Sequence, residues 1–279
     1  YTIDIVEDSV LSLGNAWNIC EKAQVKLDGS LLALSYLDPQ NKDSCEYLER
    51  LTLCNKAQVT GYAYRVGYHD VQCFLRSEGE GPNVVANGII GVLVSGKTGE
   101  YVFDTATDLK VLGPLADLSE TYKGLGWTKR GAATLTLAGA NGTAAGPVKI
   151  EAGTLALGDE KIFTKSNPVT LAGGTLAVGV LTNDFGTLTL TADSSIQLGA
   201  GCVTFADSSA KAWTPGAKLT LIGSEKKLLP GRVRVSTTAG GLSPEQLASI
   251  RYNGNDLGVQ LDEDGWVISK KTGLIIVVQ

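Results

Sequence analysis

Methionine is absent from this 279-residue chain, histidine occurs once, and aromatic residues make up only 6%. One histidine cannot build a histidine-rich metal shell. The five cysteines, at 20, 45, 54, 73 and 202, contain no C-x-x-C pair, so a zinc site is not expected. Charged residues are scarce at 19%, below the quarter usual in soluble domains. The Glu, Lys and Leu at 3.6-residue spacing that a helical bundle needs are missing. Positive charge is limited too. The 24 Lys and Arg are scattered and the net charge is −5, so nothing forms the basic stripe a nucleic-acid partner would require. No stretch of 18 apolar residues occurs, which removes a membrane-spanning helix; the longest apolar run near the end, residues 274–278, reads as a strand.

What the chain does have is 34 glycines and 43% hydrophobic residues, enough to fill a core and turn tightly around it. Five segments share one design: GAATLTLAG from Gly131, AGTLALG from Ala152, GGTLAVG from Gly173, FGTLTLT from Phe185 and GAKLTLIG from Gly216. Thr134-Leu135, Thr154-Leu155 and Thr175-Leu176 follow one another at 20 and 21 residues. Period-two alternation puts the leucines on one face of each short strand. Such a strand cannot bury that face alone, but copies stacked about 4.8 Å apart close a backbone ladder and one apolar column. The spacing therefore predicts a parallel β-helix with Leu135, Leu155 and Leu176 one above the next. A β-sandwich would also show short strands and frequent turns, but its strands need not resemble one another at a constant interval.

The first hundred residues repeat more loosely. Ile19-Cys20-Glu21-Lys22-Ala23-Gln24-Val25 returns as Leu53-Cys54-Asn55-Lys56-Ala57-Gln58-Val59, 34 residues on. Read as successive coils, this places Cys20 and Cys54 within disulfide reach, with buried free thiols as the other reading. Near the end, Ser243-Pro244-Glu245-Gln246 is a helix start with a capping box. Strands at 257–261 and 266–269 flank a turn at 262–265. The expected organisation is irregular coils over 1–115, regular coils over 116–240 and a C-terminal helix-plus-hairpin cap over 241–279.

The run Gly126-Trp127-Thr128-Lys129-Arg130-Gly131-Ala132-Ala133-Thr134-Leu135-Thr136-Leu137-Ala138-Gly139-Ala140-Asn141, followed by Val148-Lys149-Ile150-Glu151-Ala152-Gly153-Thr154-Leu155-Ala156-Leu157-Gly158, resembles the autotransporter-associated β-strand repeat proteins. Ala133 stands where that family usually has Gly, and Trp127 replaces a common Leu. The stretch from Gly241 to Tyr252 is similar to the ending of many secreted repeat proteins of this type from Gram-negative bacteria. The resemblance covers about residues 116 to 255. It implies a right-handed parallel β-helix displayed at, or released from, the cell surface, and it implies no catalytic residue set.

Motifs that carry chemistry are few. Gly91-Val92-Leu93-Val94-Ser95-Gly96-Lys97-Thr98 matches the phosphate-binding loop pattern, but strand-forming residues follow where a helix should begin. Asp184, Asp193 and Asp207 are 9 and 14 residues apart, not a coil period, so they read as turn residues rather than a hydrolytic pair. Asp262, Glu263 and Asp264 lack the other ligands of a calcium loop, and Asn141-Gly142-Thr143 reads as a turn. Tyr62, Tyr64, Arg65, Tyr68 and His69 form an aromatic-basic cluster. It is either a polar strand face with stacked tyrosines or a patch for a glycan or a host or cell-surface protein, since aromatic faces stack on sugar rings and Arg supplies forked donors. No cofactor is expected. The expected function is a non-enzymatic adhesin, scaffold or stalk; the alternative is a carbohydrate-binding or polysaccharide-degrading protein on the same scaffold.

Overall fold

A computed structural model describes residues 2–13, 23–34, 50–61, 64–67, 73–93, 97–255 and 258–270. Each coil lays one strand in a first sheet and the next in a second. The first sheet has nine strands, from Thr2–Ile5 to Leu188–Ala192, and the second has eleven, from Val10–Leu13 to Ile250–Tyr252. All neighbours in both sheets are parallel, so the chain is a parallel β-solenoid. A third face is built in two pieces. The lower comprises Tyr64–Gly67, Ile89–Val92 and Leu115–Asp117; the upper comprises Thr182–Asp184, Cys202–Phe205 and Val233–Val235.

The predicted leucine column is present. Leu135 stands opposite Leu155, and Leu155 opposite Leu176. The column continues through Ile196, Leu221 and Tyr252, all buried. In the first sheet, Tyr101 and Trp127 are followed by Val148, Val169 and Leu188. Phe163, Phe185 and Phe205 stack along the third side with ring centroids 5.6 and 5.7 Å apart. At the corner between the first and second sheets, Gly131 and Gly153 have φ of +81° and +62°. A Cβ on Gly153 would lie 2.4 Å from the Gly131 carbonyl oxygen, so the coils approach there only because residue 153 has no side chain.

The upper end is closed by the predicted cap. Helix Pro244–Ala248 carries the full capping box: Gln246 N donates to Ser243 Oγ (3.3 Å) and Ser243 N donates to Gln246 Oε1 (2.6 Å). The buried Gln246 amide donates onward to the Ser208 and Lys211 carbonyls, fastening the helix to residues 206–217. That segment covers the edge of the first sheet without forming a strand. Ser208 Oγ accepts from Leu188 N (2.8 Å), Trp213 Nε1 donates to Leu188 O (3.2 Å), and Thr214 N donates to Leu190 O (2.8 Å). Strands Val259–Leu261 and Val267–Ser269 make the antiparallel hairpin.

One expectation is corrected. The described part of the first look-alike segment, 23–25, does not stack on its counterpart at 57–59. Gln24–Asp28 lies in the first sheet and Gln58–Gly61 in the second; Val25 stands opposite Leu51, and Val59 opposite Leu32. Ala23 and Ala57 are both fully buried before an inward valine, so the shared sequence meets the same local need at two different corners. Cys54 stands opposite Asp28 and Glu78 and its thiol donates to Glu78 Oε1 (3.3 Å). Burial and the Glu78 carboxylate push that thiol up to about 12. Cys20 lies outside the described residues.

Candidate functional site

On the upper third face, alternation separates core from surface. Val203, Phe205, Val233 and Val235 are buried, which turns Thr204 and Arg234 outward. Register places Asp184, Thr204 and Arg234 in one column across three strands, and the Thr204 hydroxyl donates to Asp184 Oδ1. Arg234 is fixed from above: its Nε donates to the Asp264 carbonyl (2.8 Å), and its guanidinium lies 5.4 Å from the centre of the Trp266 ring. The Asp262 carboxylate holds that turn by accepting from the Asp264 and Trp266 amides. Beside the column is an open cleft of about 260 Å³. Phe185 and Phe205 form its floor, and Lys165, Thr204, Asp207, Arg234 and Thr237 its polar wall. Asp207 Oδ1 accepts from Ser209 Oγ (2.7 Å) and Ser209 N (2.9 Å), which hold its carboxyl below the usual range.

A second polar feature is internal. Lys129 is only 2% exposed and occupies an inward position between Phe103 below and Ile150 above. Its Nζ donates to the carbonyls of Arg130 (2.9 Å), Gly131 (2.7 Å) and Ala152 (3.0 Å). Burial pushes its pKa down to about 8, against a weaker upward pull from Asp104 and Asp108. Three carbonyls consume all three ammonium donors, so this lysine clamps a corner rather than facing a ligand.

The sequence candidates fall as follows. Tyr64 and Arg65 lie on the lower third face, in register with Ile89 and Ile90. Tyr62, Tyr68 and His69 lie outside the described residues. Strand Glu100–Thr105 follows Thr98, where a phosphate-binding loop would require a helix. Asp184, Asp193 and Asp207 are each engaged separately: with Thr204, with the Lys218 amide (2.8 Å) and with Ser209. Asn141 has φ of +60°, as a turn residue does. Trp127 is core and Trp266 belongs to the cap. Among the described residues no group of three His, Cys, Asp or Glu is placed to hold a metal, and no helix is long and apolar enough to cross a membrane.

Sequence reasoning missed Lys129 and the Arg234–Trp266 pair. Counting alternation outward from Trp127 would have placed Lys129 inward. The Arg234–Trp266 contact joins residues 32 apart across a strand and a cap hairpin, and no spacing rule reports it.

Residues 128–157 match the family model described as the passenger-associated transport repeat. With the β-solenoid around it, this match is consistent with an autotransporter passenger-type repeat protein. No curated protein and no solved structure matches the chain.

Proposed function

Taking the passenger-repeat match as premise, we propose that the chain is a non-enzymatic passenger-type protein of a Gram-negative bacterium, exported to the cell surface or beyond it, where its solenoid acts as an adhesin, scaffold or stalk. The observation that carries this reading is the unbroken core column from Leu135 through Leu155, Leu176 and Ile196 to Leu221, which makes a stiff one-dimensional stack. The matched repeat, residues 128–157, forms two rungs of that stack. A stack of this kind presents long side faces and needs no catalytic group to serve as a spacer or a surface for attachment.

The test is cell-surface labelling in the source bacterium. Antibody raised against the purified chain should label intact cells, or appear in the culture medium, as strongly as it labels permeabilised cells. Label confined to permeabilised cells overturns the export reading.

A further inference from the structure

The cleft at the upper corner of the third face is not used by a scaffold role, and we propose that it binds an acidic sugar, a uronic-acid residue of a polysaccharide. The inference goes beyond the passenger reading and does not depend on it. Three features of the cleft point to one ligand chemistry.

First, its wall carries two cations. Arg234 is held by the Asp264 carbonyl and the Trp266 ring, so its terminal amines are pre-oriented and little rotamer freedom remains to be lost on binding. Lys165 is exposed and makes no ion pair among the described residues. A carboxylate between them would meet a fork on one side and a point charge on the other. Second, the same wall carries acceptors. Ser209 occupies one oxygen of ionised Asp207 and leaves the other to take a hydroxyl proton. Thr204 spends its own proton on Asp184, which leaves its oxygen lone pairs as acceptors. A bare inorganic anion satisfies the cations but brings no hydroxyl donor to Asp207 and Thr204, and a neutral sugar satisfies these acceptors but leaves both cations unused. A uronate carries one carboxylate and several hydroxyl donors, and matches both. Third, about 260 Å³ lies below the size of drug-sized pockets, which suits one sugar ring of a chain that continues over the open surface.

The test is calorimetric titration of the full chain with an oligogalacturonate, with a neutral galactose oligomer of the same length, and with inorganic sulfate. The oligogalacturonate should bind saturably, and its affinity should fall as sodium chloride rises. Lys165→Ala should weaken it about tenfold, one charged contact's worth, and Lys165→Glu should abolish it. Arg234→Gln should weaken it further, with a thermal melt to confirm that the cap is intact. Lys165 has no internal partner to lose, so its two variants decide the matter even if Arg234→Gln disturbs the cap. No saturable binding at millimolar oligogalacturonate, equal affinity for the neutral oligomer or for sulfate, or affinity unchanged in Lys165→Glu each overturns the proposal. Surface labelling and this titration fail independently, so the two readings are separable.

Discussion

Below Lys129, successive inward residues of the first sheet (Leu51, Leu75, Phe103 and Lys129) are 24, 28 and 26 residues apart; above it (Ile150, Leu171 and Leu190) they are 21, 21 and 19 apart. The wide coils fill the first-sheet side with Tyr101, Phe103 and Trp127, whose rings contact one another at 5.2 to 6.1 Å. The narrow coils fill it with Val, Ile and Leu and take their aromatic volume from Phe163, Phe185 and Phe205 on the third side. Lys129 stands at the step, tying carbonyls of its own coil to Ala152 of the next. Coil length and core filling therefore change together, and the step carries a polar clamp with a cavity of only about 10 Å³ beside it, lined by Phe103, Trp127, Lys129 and Leu155 among others.

Four experiments break or sharpen this contrast. Phe103→Ala should cost the most, about 3–5 kcal/mol in a urea melt, because the wide section depends on large rings and cannot collapse around the gap; a loss under 1 kcal/mol would mean that ring volume does not set the wide coils. Lys129→Met should cost about 3 kcal/mol, since a side chain of similar length replaces the ammonium and strands the Gly131 and Ala152 carbonyls, while the Arg130 carbonyl keeps the Thr105 hydroxyl; a neutral result removes the clamp. The third effect is in pH. Lys129 ionises near 8 in the folded chain and at its ordinary 10.5 when unfolded, so between those values the unfolded state holds more protons and folding gains stability as pH rises. Compared with Lys129→Met, the wild-type chain should gain about 2–3 kcal/mol from pH 8 to 10.5. The Cys54 thiol, raised to about 12, acts in the opposite direction but equally in both proteins. A flat difference would show that Lys129 is not desolvated. Leu171→Phe should cost about 2 kcal/mol by overfilling a narrow coil, and if it is tolerated the narrow section has spare room.

The same contrast explains what could be read from sequence. In the narrow coils each structural slot is refilled by nearly the same residue: Leu135, Leu155, Leu176 in one column and Thr134, Thr154, Thr175 on its outer side. Self-similarity is then visible without coordinates, and the coil period follows from it. In the wide coils one column runs Cys73, Tyr101, Trp127 and the next Leu75, Phe103, Lys129. Residues this unlike share a slot because volume, not identity, is what the slot selects. The one similarity that did stand out there joins Ala23-Gln24-Val25 to Ala57-Gln58-Val59, which lie at two different corners. The cap was readable because a capping box is local. The cleft was not, because Lys165, Asp207 and Arg234 come from different coils and meet only after stacking.

Because neighbouring strands of the two long sheets pair in parallel from each coil to the next, the interstrand hydrogen bonds run along the stack rather than across it. A pull on the two ends therefore loads these ladders in series, and each coil peels when its own few bonds give way. A sideways load is shared by many coils at once. A tether made this way yields stepwise under tension and resists bending, and the first rungs to part should be the narrow ones just above Lys129, where Val148–Ile150 meets Val169–Ala172 and Thr154–Leu157 meets Thr175–Gly179 through three paired residues each.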